Sequence, residues 1–247
     1  LASIVPYNQL LKLNYMPHVI EAIFFGVSGM MQESVTSDYT LLLQKEYDYQ
    51  QYKFGWNTMQ AQQWKWLGMR PISFPTIRLA LFAELCNKQL PFFEKILTNP
   101  QQFLNDIQSI QSSTYWDYHY TFKKTSSYKK KKLQKEFIHT LTINVVAPLL
   151  AAYAVYINDD NYFQKAVELL YSTNYERNAI VDYYKNISPP PQHAADTQAL
   201  LEQYHHYCIK KRCLDCAIGC YILKKESIFE QDIKTTYTIH EPTYRYA

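Results

Sequence analysis

Glycine is scarce in this chain, with 5 among 247 residues. Tight hairpin turns hold one or two residues at positive φ, a conformation open mainly to Gly and Asn, so a fold of many short strands would lack its corners. Helices need no such residue. The expected fold is therefore all-α, about ten helices in an irregular bundle or helical array. Hydrophobic residues make up 47% of the chain, enough for a core without disulfide or metal staples, which excludes disordered, collagen-like and small disulfide-rich secreted classes. The formal charge of +3 is mild and does not by itself imply nucleic acid or an anionic membrane.

Apolar periodicity predicts helices within residues 1–13 and from Val19 to Met30. Ser37 and Asp38 cap a third, with Leu41, Leu42, Glu46, Tyr49 and Tyr52 as its periodic face and Gly55 as its stop. Pro75 starts a fourth, whose apolar face reads Ile77, Leu79, Ala80, Phe82, Ala83 and Cys86. The stretch VVAPLLAAYAVYI, Val145 to Ile157, falls short of the roughly 20 residues a bilayer requires. It reads as the central, buried core helix, and no membrane association is expected. Pro148 predicts two helical segments meeting near Asn144.

Residues 1–228 read as one helical domain, with a subdivision at the SPPPQH linker, 188–193. The tail, 229–247, reads as poorly ordered or as pairing with an N-terminal segment absent from this chain. The opening LASIVPYNQLLKL has neither Met nor the features of a signal peptide, which predicts a fragment. Nothing in the cysteine usage suggests an oxidising compartment, so the expected location is cytoplasmic.

The sharpest chemical feature is CIKKRCLDCAIGC, which places Cys208, Cys213, Cys216 and Cys220 in a C-x4-C-x2-C-x3-C pattern. A C-x2-C pair lets two thiolates converge on one ion, so zinc or an iron-sulfur cluster is one reading. Neighbouring Lys210, Lys211 and Arg212 favour the thiolate form. Buried or free thiols are the second reading, because positions 213, 216 and 220 share one face of a helix, and disulfides are the third. Glu136-x-x-His139 and Glu202-x-x-His205, completed by Glu84 and Glu168, match the ligand pattern of a di-iron carboxylate site, against a reading as surface pairs at helical spacing.

A third constellation combines aromatics and cations. Tyr115, Trp116 and His119 precede Lys123, Lys124, Lys129, Lys130, Lys131 and Lys132 in a stretch that breaks the helical pattern. Lysines neutralise phosphates and aromatics stack on exposed bases, so this long loop reads either as a nucleic-acid contact or as a solvated loop. Arg70 and Arg78 flank ISFPTI, where two guanidiniums could clamp an anion or pin the turn to neighbouring carbonyls. The phosphate-loop, dinucleotide, nucleophile-elbow and zincin signatures are absent, and no catalytic centre is predicted within the chain.

The strings WKWLGMRPISFPTIRLALFAEL, YWDYHYTF, INVVAPLLAAY, ERNAIVDYY and YCIKKRCLDCAIG resemble an uncharacterised bacterial family of domains of unknown function, as do ASIVPYNQLLKL and HVIEAIFFGVSGMM. That resemblance implies an additional segment ahead of Leu1, similar to restriction-like PD-(D/E)xK nuclease cores. It also places Cys208, Cys213 and Cys216 on the family's pattern; beside Cys220, His205 or His206 could serve as the fourth zinc ligand. The reading that unites these features is the helical C-terminal portion of a two-part protein, associated with nucleic acid. A di-iron oxidoreductase and a non-catalytic scaffold are the alternatives.

Overall fold

Helix α2 (Pro17–Val27) carries apolar residues around its whole circumference, and a helix of that kind has to be enclosed by others. Val19, Ile20, Ala22, Ile23, Phe24, Phe25 and Val27 are all buried. Against it pack α1 (Tyr7–Leu13), α3 (Asp38–Phe54) and α4 (Pro75–Gln89); α5 (Phe92–Thr98) and α6 (Pro100–Ile107) follow, with α6 against α4. A two-stranded antiparallel ribbon follows, β1 (His119–Thr121) and β2 (Lys124–Thr125), and then α7 (Lys135–Leu141), α8 (Ala147–Ile157) and α9 (Asp160–Ser172). The remaining helices are α10 (Ala179–Tyr184), α11 (Ala194–Gln203) and α12 (Ala217–Gln231). The computed structural model describes residues 3–13, 17–31, 37–185 and 190–231.

The architecture is all-α, as the glycine count predicts, and the short ribbon is the single sheet among the described residues. The chain forms two compact units, residues 1–170 and 171–247. The division falls within α9, ahead of the proline-rich linker, part of which lies outside the described residues. The expected pairing of the tail also lies outside them, from residue 232 onward.

In the first unit α3 packs on α2 at close range. Gly26 has no Cβ, and the ring of Tyr47 lies where one would stand. Ser37 and Thr40 form the capping box that starts α3, and Gly55 ends it at φ +67°. The caps match the sequence reading, but the buried face does not. Thr40, Leu43, Tyr47 and Gln50 face inward, whereas Leu41, Leu42, Tyr49 and Tyr52 are exposed. The phase is set by the Gly26–Tyr47 contact, which outweighs the two leucines.

The Val145 to Ile157 stretch is a second correction. It is not the central helix, since Val155 is 81% and Tyr156 85% exposed, and the enclosed helix is α2. One side alone is buried, at Ile143, Val146, Ala147, Leu150 and Ala154. The helical run is also longer than thirteen residues. α7 and α8 join through a π-turn at Thr142–Val146 into a 23-residue helix, Lys135–Ile157. By length and composition this helix is long and apolar enough to cross a bilayer, and 33% of its most apolar window is buried in the protein. Pro148 accounts for the π-turn, because it offers no N–H to the carbonyl of Asn144 and the backbone widens ahead of it.

Residues 113–132 are not an open loop. The chain leaves α6, makes the β-ribbon and returns along itself, with Ser112 N–H donating to Lys131 O (3.0 Å) and Leu133 N–H to Ile110 O (3.2 Å). Trp116 anchors the excursion. Its ring is fully buried against Phe25 and Phe122, and Nε1–H donates to Glu21 Oε1 of α2 at 2.6 Å. Burial raises the Glu21 carboxyl above its ordinary pKa, opposed by hydrogen bonds from Trp116, Tyr39 and Ser113.

Two outcomes follow. Trp116→Ala should cost about 3–5 kcal/mol in a denaturant titration, through the cavity and the loss of the indole hydrogen bond to the buried carboxyl. Because the folded-state pKa of Glu21 is raised, the native state holds its proton longer than the unfolded chain. Stability should then fall as pH rises from the ordinary glutamate range toward the raised value, and be lowest above it. Glu21→Gln should flatten that slope in unfolding curves taken across the acidic range.

Candidate functional site

A cationic groove runs along α4 in the first unit. Two adjoining hollows, of about 260 and 780 Å³, share Ser73, Arg78, Phe82 and Phe137 in their walls. Lys132 borders the smaller, Lys65 and Arg70 the larger, and Arg78 both; no Asp or Glu lines either. Cations without neighbouring carboxylates make a place where an anion meets attraction from several directions.

Each wall has a local cause. Gly29, at φ +71°, turns the chain out of α2, and Met59 N–H returns to Val27 O at 2.7 Å while Trp64 Nε1–H donates to Ser28 O at 2.9 Å. These bonds fix the strap that carries Lys65 and Arg70. Gly68, at φ +76°, turns that strap toward α4. Pro75 opens α4 at its first turn, as the sequence predicts. Arg78 then donates from Nε to Ser73 O at 3.3 Å, with its guanidinium 5.8 Å from the centre of the Phe137 ring. Phe82 stacks on Phe24 with one face, centroids 5.2 Å apart, and remains 40% exposed. The sequence reading assigns Phe82 to the core face of α4. Of the six residues in that reading Ile77, Leu79, Ala80, Ala83 and Cys86 are buried, and Leu81 and Leu85 join them.

The aromatic and lysine segment divides into parts with different roles. Trp116 is in the core, unable to stack on a base. Lys131 has no exposed surface; its Nζ donates to Asp117 O at 3.0 Å and sits 4.2 Å from the Tyr120 ring centre. Burial lowers its pKa, Asp117 opposes that, and Lys129 adds to it. Tyr115 is sandwiched between Tyr39 and His119, at 4.2 and 4.0 Å. His119 Nδ1 lies 2.8 Å from Tyr115 O. Lys124, Lys129, Lys130 and Lys132 are exposed, and Lys123 lines a separate hollow of about 290 Å³ beside Trp66 and Thr76.

In the second unit a cleft of about 660 Å³ is lined by Cys208, Cys213 and Cys216 together with Tyr184, Tyr204 and Tyr207. Cys216 is buried at the start of α12. Its Sγ accepts from Gln203 Nε2 at 2.8 Å and from Gly219 N–H at 3.4 Å. The Gly219 N–H, with help from Gln203 and the Ile218 N–H, lowers the Cys216 thiol below its usual pKa. Cys208 Sγ lies 3.1 Å from Tyr184 Oη, and Cys220 Sγ donates to Leu214 O at 2.9 Å. Cys86, in the first unit, is buried and pushed up to about 12 by that burial, the setting of an inert thiol.

Among the described residues no three His, Cys, Asp or Glu side chains are grouped so as to hold a metal ion. Cys208, Cys216 and Cys220 have different hydrogen-bond partners, and two of the proposed di-iron carboxylates pair elsewhere. Glu84 pairs with Lys88 at 2.9 Å, and Glu202 lies 3.5 Å from His206, one residue beyond the His205 of the motif.

Sequence reasoning missed Glu21, Phe82 and Lys65. A single Glu in the otherwise apolar HVIEAIFFGV run of α2 is a signal that a buried partner awaits it, and Trp116 is that partner.

Fold and groove define an all-α protein with a cation-lined, aromatic surface hollow. The chain belongs to a family of proteins of unknown function, DUF2851, matched over residues 1–179. No curated protein and no solved structure matched it.

The division of the lysine run is testable by single substitutions. Lys131→Ala should lower the unfolding free energy by about 1–3 kcal/mol, whereas Lys130→Ala should stay within about 0.5 kcal/mol, both read from urea midpoints.

Proposed function

We propose that this protein is a single-stranded nucleic-acid-binding module, and that the groove along α4 is its contact surface. The observation that carries this reading is the set Lys65, Arg70, Arg78 and Lys132 around a carboxylate-free groove whose floor offers the open face of Phe82. Phosphates are met by guanidinium and ammonium groups, and a base stacks on the phenyl ring. A concave, aromatic-floored groove suits a strand with unstacked bases better than a duplex, whose bases are stacked inside. In the fuller form of the proposal, the module works beside a nuclease-like segment, as the family resemblance implies.

Fluorescence anisotropy with a labelled single-stranded oligonucleotide tests this. Four neutralised phosphates predict a slope of log K against log salt near −3, roughly −0.7 for each contact. Arg78→Glu should weaken binding to every sequence alike. Phe82→Ala should remove about 1–3 kcal/mol of stacking, and Lys130→Ala should change little. Salt-independent binding, or affinity indifferent to Arg78→Glu and Phe82→Ala, contradicts the reading.

A further inference from the structure

The turn that carries the C-x2-C pair in the second unit is held in a close approach that a single residue permits. Cys213 opens a 3-10 turn, Cys213–Asp215, and Cys216 N–H donates back to Cys213 O at 3.4 Å. That is an i to i+3 closure, which keeps the two Cα atoms within about 7 Å, inside the reach of a disulfide. Gly219, in the first turn of α12, faces this turn so closely that a Cβ would collide with the carbonyl of Cys213. Its lack of a side chain lets the backbone of Cys213 rest on α12, beside Cys216. The two thiols differ in access. Cys213 is exposed at the cleft, while Cys216 is only 6% exposed.

We infer that Cys213 and Cys216 are a reversible dithiol–disulfide pair that reacts with small disulfides entering the cleft. The inference is independent of the nucleic-acid reading, which concerns the other unit. The exposed Cys213, as thiolate, attacks one sulfur of a small disulfide RSSR. A Cys213–S–S–R bond forms, the R–S–S–R bond breaks, and RS⁻ departs. Cys216, as thiolate, then attacks the Cys213 sulfur of that mixed disulfide and releases the second RS⁻. The two cysteines lose two electrons and two protons, RSSR gains the electrons, and the protons are taken up by the departing thiolates. The N–H of Gly219 and the amide of Gln203 hold Cys216 ready for the second step.

The test equilibrates the full chain anaerobically in glutathione buffers of graded ratio, blocks free thiols with a maleimide, and maps tryptic peptides without reduction. Cleavage at Arg212 and Lys224 isolates residues 213–224. In oxidised buffer this peptide should carry a Cys213–Cys216 bridge and one maleimide, on Cys220, and dithiothreitol added to the protein before the maleimide should leave three thiols to be labelled. Cys216→Ser should stop at a glutathione adduct on Cys213. Gly219→Ala should slow closure of the bridge roughly tenfold, because the turn loses its preset geometry. Three maleimides on the peptide at every buffer ratio would overturn the inference. So would a bridge to Cys208 or Cys220, or protection of all four thiols that a metal chelator removes.

Discussion

A buried hydrogen bond, from the indole of Trp116 to the carboxyl of Glu21, organises the first unit. A carboxyl in an apolar helix is costly unless something donates to it, and a buried indole N–H needs an acceptor. Each group meets the other's requirement, and together they tie a segment late in the unit to its innermost helix. Tyr39 and Ser113 extend the network, their hydroxyls 2.8 Å apart, so α2, α3 and the turn before the ribbon share one polar cluster.

What that anchor does for the surface follows from connectivity. The chain goes out at Ile110 and comes back at Leu133, closed by backbone bonds at both places. Lys131 points inward across the Tyr120 ring, so Lys132 and the start of α7 emerge at a defined place beside α4. Phe137 then meets Arg78, and the groove has its second wall. A core interaction thus positions surface cations, which an unstructured lysine loop would not do.

The sequence made the fold class legible because it depends on a global property, the scarcity of turn-forming glycine. Caps were legible too: Ser37, Gly55 and Pro75 act locally and stand where the reading places them. Helix phase was less so. On α3 the choice between two faces turns on Gly26 of α2, a tertiary contact that no periodicity within α3 encodes. Trp116 and Lys131 misled for a related reason, since residue type suggests a nucleic-acid contact while burial gives both a structural task. The groove was half legible. Arg70 and Arg78 stood out beside their turn, but Phe82 and Lys65 join them only through the path of the strap from Gly29 to Gly68.

The central claim is that single-stranded nucleic acid lies along α4 and not on the β-ribbon. Photo-crosslinking a uridine-substituted strand to the full chain and mapping the adducts by mass spectrometry tests this most directly. The account predicts adducts in the segments that carry Trp64, Phe82 and Phe137. Adducts confined to residues 119–130, or to the second unit, would contradict it.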